Sequence, residues 1–231
     1  MSERLLAGVV TPIARQSNLG ELTYERLKEI IVAGSFPPNE KLTVRSVASA
    51  LGVSTTPARD AINRLLSEGA LVNEGPKTVV LPSLTLEALD EISATRLALE
   101  GLAAERAVLA VAPAHIAALE RLQTAINAGL DLGDYREVLR ANREFHFLIY
   151  GLSGWSRLVA IIESLWLRVG PSLNELYPDF AQNRRGVSNH MAAIDALRAK
   201  DGAKVRSAIE KDIRDGYARL KATIAARSRT S

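Results

Sequence analysis

Three histidines occur in this chain of 231 residues, and two of them lie where they could act together on a metal. His146 follows Asn142 by four positions, a spacing that puts an imidazole and a carboxamide on the same face of a helix. His190 lies on a later predicted helix, and Asp212 lies on the last one. A pocket lined by these four groups would offer two nitrogens and two oxygens to a zinc-like divalent ion.

Spacing alone leaves a second interpretation open, since these residues stand on separate helices and their convergence cannot be read from the chain. A histidine held in a protein core by ordinary hydrogen bonds is the commoner case. His115 is predicted to be structural, because it follows Pro113 and Ala114 at the start of a helix, a position typical of a solvated or capping residue.

The composition limits which classes of protein fit the sequence. No cysteine is present, which excludes disulfides and thiolate metal sites and fits a reducing cytoplasm. Apolar residues make up 47% of the chain, enough for one large or two modest domains with a proper core. No apolar stretch is long enough to span a bilayer, and the first 18 residues do not resemble a secretory signal. We therefore expect a cytoplasmic protein without membrane contact.

The net charge of +3 is too small and too evenly spread to indicate nucleic-acid binding. The sequence also lacks glycine-rich phosphate loops and basic patches interleaved with aromatic residues. Any contact with DNA must therefore come from the geometry of particular helices.

The N-terminal third contains two short predicted helices joined by a tight turn. A helix over 44–51, with Thr43 as its N-cap and Gly52 as its stop, is followed at once by Thr56 and Pro57, a cap and a first-turn proline. This pattern predicts a helix-turn-helix. The outer face of the second helix carries side chains suited to the bases of a major groove: Thr55, Thr56, Arg59 and Asn63.

Further elements complete this module. They are an earlier helix over about 22–33, which turns Leu22, Leu27, Ile30 and Ile31 toward the core, and two β-prone runs over 70–73 and 78–81. The two runs form a hairpin, or wing, in which Gly75 lets the backbone approach DNA and Lys77 can neutralise a phosphate. The alternative is an interaction domain built of ordinary short helices, with Arg59 and Arg64 as solvated surface charge.

The C-terminal two thirds is predicted to be all helical. Pro82–Thr85 joins a proline and capping residues to the acidic first turn of a new helix, which is typical of a hinge. Six long helices follow, with breaks near Pro113, Gly133, Gly154, Tyr177–Gln182 and Asp201–Gly202. The predicted fold class is mainly α, an N-terminal winged helix-turn-helix domain plus a C-terminal all-α six-helix bundle. The predicted divisions are an arm over 1–20, the DNA-binding domain over 21–82, and an effector-binding and dimerisation domain over 83–231.

The stretch EKLTVRSVASALGVSTTPARDAINRLLSEGALV resembles the DNA-binding domain of the GntR family of bacterial transcription regulators, and the resemblance runs over about residues 22–81. It implies a set of operator contacts: Arg45, Ser54, Thr55, Thr56, Arg59 and the wing around Gly75. Many relatives carry arginine where this chain has Thr55. We therefore expect one guanine contact to be absent and the operator preference to differ.

Residues 86–225 resemble the FCD-type ligand-binding domain that accompanies this DNA-binding domain, in the six-helix, VanR-like branch of the FadR subfamily. The motifs that carry the resemblance are Arg96–Glu100, Asn142–His146 and the helices of His190 and Asp212. It implies that Asn142, His146, His190 and Asp212 bind a divalent metal, with zinc as the first choice and nickel or manganese as alternatives. Many members have aspartate in place of Asn142 and histidine in place of Asp212, but both side chains here can still donate an oxygen.

Open positions on such an ion, together with nearby arginines, would suit a small carboxylate, which a guanidinium pairs bidentately. The candidates are Arg96, Arg140, Arg143 and Arg168. The resemblance favours Arg96, because relatives point the matching arginine into the pocket. Arg140 and Arg143 cannot both face inward together with His146.

These features predict a ligand-responsive transcription regulator, a homodimer that holds two recognition helices on a palindromic double-stranded operator. A small organic acid at or near the metal would shift how the DNA-binding domains are held. Because of the family resemblance, we expect a repressor of a catabolic operon, which leaves the operator when its effector binds.

The alternatives are a regulator that senses the metal itself and a metal-dependent hydrolase with Glu144 as its base. Glu144 stands two positions from His146, on another helix face, so we predict that the protein is not an enzyme.

Overall fold

The computed structural model describes residues 19–32, 39–173 and 185–227. Residues 1–18, which make up nearly all of the predicted arm over 1–20, lie outside the described residues, and so does the predicted helix break at Tyr177–Gln182. No described helix combines the length and the apolar composition that a bilayer crossing requires.

The described N-terminal part is a winged helix-turn-helix, as predicted. Its helices are α1 (Leu19–Val32), α2 (Val44–Leu51) and α3 (Thr55–Ser67), and its strands are β1 (Lys41–Leu42), β2 (Val72–Gly75) and β3 (Thr78–Val80). The strands form one antiparallel sheet in the order β1, β3, β2. The strand β1 was not predicted, because two residues are too few to show a period. The wing begins two residues later than expected, since Ala70 and Leu71 are taken into the core.

The helix α2 begins and ends where local chemistry requires. Thr43 is its N-cap and forms a capping box with Ser46, and Gly52 ends it in the left-handed region at a φ of 65°. Glycine adopts that backbone conformation without a Cβ penalty, which allows the chain to turn sharply into α3.

The expected cap of α3 at Thr56 is wrong. The helix starts at Thr55, and Ser54 is the N-cap residue. Pro57 then lies within the first turn, where a missing N–H has no cost because the first four N–H groups of a helix have no partner inside the helix. The proline therefore marks the first turn of the helix without fixing which residue begins it.

The inward face of α1 also differs from the expectation. Leu22 is 64% exposed, whereas Tyr24 and Lys28 are buried. The guanidinium carbon of Arg64 lies 3.6 Å from the centroid of the Tyr24 ring, and Lys28 pairs with acidic side chains that include Glu163 of the bundle. Leu27 and Ile31 are buried as predicted, and contacts from other elements add Tyr24 and Lys28 to the buried face.

Six α-helices follow in the described part and form the predicted all-α bundle. They are α4 (Leu86–Arg106, with a 3₁₀ turn at Ala107–Leu109), α5 (Pro113–Leu132), α6 (Tyr135–Gly151), α7 (Ser156–Leu173), α8 (Arg185–Arg198) and α9 (Gly202–Arg227). Thr85 caps α4 by accepting a hydrogen bond from the N–H of Ala88. The predicted breaks near Pro113, Gly133 and Gly154 fall at the ends of these helices. The helix α9 packs along both α4 and α8, while α5 packs along α6.

Two hydrophobic cores meet on α7. The core of the bundle includes Phe145, Tyr150 and Trp166. The core of the winged helix-turn-helix is built around α1 and α3 and also takes in Leu167 from α7. Because Trp166 and Leu167 are consecutive residues, one helix contributes to both cores and joins the two parts of the molecule.

Candidate metal centre and nucleic-acid interface

Three side chains on three different helices bring potential metal-ligand atoms together. The Nε2 atoms of His146 on α6 and His190 on α8 lie 3.3 Å apart. The Oδ2 atom of Asp212 on α9 lies 3.3 Å from Nε2 of His146 and 4.0 Å from Nε2 of His190. Both histidines are buried and Asp212 is largely buried. Three of the four predicted ligands therefore meet in the structure.

Packing restricts both imidazole rings. The ring of Phe145 stacks on that of His190, with centroids 4.1 Å apart and an angle of 14° between the planes. The ring of Trp166 lies 5.3 Å from that of His146. Rings enclosed in this way have little freedom to turn, so the two Nε2 atoms are held toward each other.

A chain of hydrogen bonds supports His146 from the inner side of the bundle. Its Nδ1 lies 3.0 Å from the hydroxyl oxygen of Tyr150, and that hydroxyl donates to Oε2 of Glu100 at 2.5 Å. Glu100 is completely buried and also accepts from Nε and Nη2 of Arg96, at 2.6 and 3.3 Å, and from Nε1 of Trp166 at 3.1 Å. Burial, and then the charge of Glu100, raise the pKa of Tyr150 well above its ordinary value, so the hydroxyl keeps its proton.

His190 has a separate support on α5. Its Nδ1 lies 2.8 Å from Oε1 of Gln123, and Nε2 of Gln123 donates to Oδ1 of Asn127 at 3.0 Å. Burial lowers the pKa of His190 to about 4, although the charge of Asp212 acts in the opposite direction. The imidazole is therefore neutral near pH 7 and keeps a lone pair for a ligand bond.

Asp212 supplies the negative charge of the cluster. Burial alone would raise its pKa, but the neighbouring imidazoles of His146 and His190 hold the pKa of this carboxyl at about 2. Its Oδ1 also accepts from Nδ2 of Asn189 at 3.4 Å, and Nζ of Lys211 in turn donates to Oδ1 of Asn189 at 2.9 Å. The carboxylate is thus ionised and oriented from its outer side.

Two imidazoles and one carboxylate are donors that zinc takes in proteins. Two zinc–nitrogen bonds of the usual length at a near-tetrahedral angle put the nitrogens about 3.3 to 3.4 Å apart. The Nε2 atoms of His146 and His190 have this separation. The residues present therefore fit a divalent metal.

Asn142, the fourth predicted ligand, lines a small cavity onto which His146 and Asp212 also open. The cavity has a volume of about 50 Å³, and its wall includes Ser93 and Arg96. The structure therefore puts three of the four predicted metal ligands, without His190, and one predicted effector residue around the same space.

The other arginines predicted to bind an effector lie elsewhere. Arg140 and Arg143 line a separate cavity of about 450 Å³ between α1 and α6, where both pair with glutamates. The side chain of Arg168 lies beside Gly69 of the winged helix-turn-helix. The positions of Arg140, Arg143 and Arg168 therefore do not support one effector site that includes Arg96, because none of the three lines the cavity of Arg96.

Sequence reasoning missed four residues that hold the candidate centre, namely Glu100, Gln123, Tyr150 and Trp166. Two of them could have been found, since each follows a predicted site residue by the four positions at which side chains of a helix meet: Glu100 after Arg96, and Tyr150 after His146. The other two come from α5 and α7, and no local pattern marks them.

The predicted DNA contacts lie on the surface of the winged helix-turn-helix. Their exposed members are Arg45, Ser54, Thr55, Thr56, Arg59, Asn63 and Lys77, with Gly75 partly exposed. The opposite stripe of α3, which includes Ala58, Ile62 and Leu65, is buried in the core. The polar side chains of α3 therefore face outward, as a recognition helix requires.

The cations among these residues differ from Arg64 in their ion pairs. Arg45, Arg59 and Lys77 form no ion pair with another described residue. Arg64 on the same helix differs, because it pairs with Glu21 and Glu68 and packs over a tyrosine ring. The alternative that treats Arg59 and Arg64 alike as solvated charge does not fit these contacts, since only Arg64 is structural.

Two family models match the chain. Residues 19–78 match the model described as "Bacterial regulatory proteins, gntR family", and residues 91–215 match the "FCD domain". The HTH-type transcriptional regulator McbR of Escherichia coli (strain K12) is 32% identical over 196 residues, which cover 84% of this chain and 89% of that protein.

Two further comparisons extend over most of the chain. A solved structure of E. coli McbR/YncC superposes with a TM-score of 0.84 at 30% identity, and the match covers 90% of this chain and 99% of that one. The gluconate operon transcriptional repressor of Bacillus subtilis (strain 168) is 27% identical over 211 residues, which cover 88% of this chain and 85% of that protein.

Replacing Glu100 by glutamine is expected to lower the free energy of unfolding by about 3 to 5 kcal/mol. The amide offers one acceptor oxygen to donors that now share two, and Arg96 would stay buried without its counter-ion. Urea unfolding measures the loss. The matched control is Glu120→Gln, which breaks an exposed pair with Arg198 and should change the stability by less than about 1 kcal/mol. Equal losses in the two variants would contradict the role of burial.

Proposed function

Because the chain belongs to the gntR family of bacterial regulatory proteins and carries an FCD domain after its winged helix-turn-helix, we propose that it represses a catabolic operon and releases it when a small carboxylate binds beside a divalent metal. The protein is a transcription regulator and not an enzyme, and regulators of this family bind DNA operators. The repressor role, the metal, the effector and a homodimer are the parts that we propose.

The observation that carries the sensing half of the proposal is the convergence of His146, His190 and Asp212. Three potential ligand atoms face one another at 3.3 to 4.0 Å, and a divalent cation bound among them would be attracted by all three. Zinc is the ion that we propose, and the same donors also accept nickel or manganese. When bound, such an ion supplies open coordination positions for an oxygen of the effector.

The small cavity supports the choice of a small acid as effector. A volume of about 50 Å³ holds a few water molecules, so a ligand of few heavy atoms fits without movement of the helices. Asn142 borders this space, and we propose its side-chain oxygen as the fourth metal ligand. Arg96 gives Nε and Nη2 to Glu100, and we assign its Nη1 to the carboxylate of the effector. Apolar side chains complete the wall: Leu89, Val169 and Leu220.

The helix α7 supports a physical connection from this cavity to the DNA-binding part. Trp166 lies in the wall of the cavity, whereas Leu167 packs into the core of the winged helix-turn-helix. One turn earlier, Glu163 pairs with Lys28 of α1 at 3.1 Å and with Arg143 of α6 at 2.5 Å. The side chain of Lys28 is only 5% exposed, so water screens this pair little. A ligand that moves α6 or α7 would therefore change how α1 is held, and operator affinity would change by the ligand's differential affinity for the two arrangements.

A homodimer would present two copies of α3 to a palindromic operator. We propose repression as the sign of regulation, because the chain is similar to a gluconate operon transcriptional repressor. We also propose that residues 21–82 bind DNA and that residues 83–231 bind the effector and form the dimer.

Two alternatives are separated by simple observations. If operator affinity follows zinc when no organic acid is present, the metal itself is the signal. The hydrolase alternative required Glu144 as a base at the metal, but Glu144 is exposed and pairs with Arg140 on the outer face of α6. Family membership also puts this chain among regulators.

Replacing Arg59 by alanine is expected to lose about 1 to 3 kcal/mol of discrimination between operator and scrambled DNA, since a guanidinium that reads a base edge is removed. Fluorescence anisotropy titrations at fixed salt, with an operator selected from a random pool, measure both affinities. The control is Arg121→Ala, which removes an exposed arginine of α5 and should change neither affinity. An unchanged operator affinity in Arg59→Ala would refute the assignment.

Native mass spectrometry of the protein incubated with zinc is expected to show a dimer with one ion per chain. His146→Ala should remove the ion because it deletes one of the converging ligands, whereas His115→Ala should retain it, since His115 lies at the start of α5. A wild-type protein that stays metal-free with zinc, nickel and manganese would contradict the metal proposal and would leave the DNA-binding assignment intact.

Replacing Glu163 by glutamine is expected to separate the metal site from α1. Hydrogen exchange of the wild-type protein should slow on zinc addition both around His146 and in α1, because Glu163 connects them. In Glu163→Gln the response around His146 should remain and the response in α1 should be lost. Glu137→Gln, which breaks an exposed pair on α6, is the control and should behave as wild type. A full response of α1 in Glu163→Gln would exclude this connection.

A further inference from the structure

A neutral imidazole carries one proton, on Nδ1 or on Nε2, and only the other nitrogen can bind a metal. In His146 and His190 the atoms that face each other and Asp212 are both Nε2. Each ring is therefore ready for a metal only when its proton lies on Nδ1. The partner of Nδ1 decides this, because an acceptor at that position keeps the proton there.

For His190 the partner is Gln123. Oε1 of Gln123 lies 2.8 Å from Nδ1 of His190, and Nε2 of Gln123 is occupied as a donor to Asn127. A carboxamide oxygen can only accept, so Nδ1 of His190 must donate. Gln123 is 3% exposed, which keeps water from competing for this bond.

For His146 the partner is Tyr150. The hydroxyl of Tyr150 gives its one proton to the carboxylate of Glu100, so its oxygen can only accept from Nδ1 of His146. Glu100 is saturated by donors from Arg96 and Trp166, which gives it no proton of its own to offer. The direction of the whole chain of bonds is therefore fixed from the buried carboxylate outward.

We propose that Gln123 and Tyr150 are positioning residues that hold both histidines with the proton on Nδ1, and thereby keep two Nε2 lone pairs aimed at the position of a divalent metal before the metal binds. This inference rests on the proposed function, because it takes a metal to be the ligand of the centre. It adds two side chains on α5 and α6 that do not touch the ion and yet determine how tightly the ion is held.

The third histidine supplies an internal reference. Nδ1 of His115 accepts the backbone N–H of Ala112 at 3.0 Å, so this ring carries its proton on Nε2. A long-range ¹H–¹⁵N correlation spectrum of the ¹⁵N-labelled full chain, stripped of metal by a chelator, distinguishes the two tautomers directly. We expect two rings with the proton on Nδ1 and one, absent from His115→Gln, with the proton on Nε2. A buried ring with the proton on Nε2 in the metal-free protein would overturn the proposal.

A pair of substitutions at one position separates positioning from packing. Gln123→Leu keeps the volume and removes the acceptor, and it is expected to weaken zinc binding by roughly 10- to 100-fold, measured by competition with a chromophoric chelator. Gln123→Glu restores an acceptor and should bind zinc at least as tightly as wild type. Equal zinc affinity in Gln123→Leu and wild type, or equal losses in the two variants, would overturn the proposal.

Melting temperatures of the metal-free variants show whether each one folds. If Gln123→Leu does not fold, Tyr150→Phe makes the same comparison at the other ring, since it removes only the hydroxyl, and the same loss of zinc affinity is expected. Failure of the proposed function is distinguishable from failure of this inference. A wild-type protein that binds no divalent metal would overturn the former, whereas a wild type that binds zinc no better than Gln123→Leu does would overturn the latter alone.

Discussion

The carboxylate of Glu100 has no exposed surface, and the arrangement of the bundle depends on how it is satisfied. It accepts hydrogen bonds from Arg96 on its own helix, from Tyr150 on α6 and from Trp166 on α7. A charge can stay in a protein interior only when it is paired and its oxygens are bonded, so α4, α6 and α7 must keep one relative register. The same bonds orient Tyr150 toward His146 and hold the indole against the cavity. The geometry of the candidate centre is therefore a consequence of one buried ion pair and the bonds around it.

The side chains of α6 lie in three different environments. Asn142 and His146 face the cavity, Arg143 faces α7 and pairs with Glu163, and Arg140 lies on the outer face. Because all of these side chains extend from one rigid helix, a rotation of α6 that improves contact with a ligand must also move the Arg143 pair. That pair includes the glutamate that holds Lys28 of α1. The coupling that we propose needs no separate relay, since the helix that carries the candidate ligand His146 also pairs with the glutamate that contacts the DNA-binding part.

The sequence predicted those features that depend on neighbours within one turn of helix. The cap at Thr43, the stop at Gly52 and the shared face of Asn142 and His146 are all local, and all are found in the structure. The buried face of α1 was predicted only in part, because Tyr24 and Lys28 are buried through partners far along the chain. Gln123 and Trp166 escaped notice for the same reason, since nothing within their own helices distinguishes them from ordinary core residues. Contacts between residues far apart in the chain determine the geometry of the site, and a single sequence does not reveal such contacts.

Charge placement explains how a chain of net charge +3 can bind DNA. Several described cations of the bundle are neutralised by an acid three or four positions away, as Arg140 is by Glu137, so they contribute little field beyond the surface. Arg45, Arg59 and Lys77 have no such partner among the described residues, and all three are exposed on the winged helix-turn-helix. A few unpaired cations at fixed positions give specificity that a large net charge would not, because an evenly charged surface binds any phosphate backbone alike. In the bundle, the one ionised carboxylate of the cluster, Asp212, lies beside two imidazole rings, which is a donor set suited to a compact divalent ion.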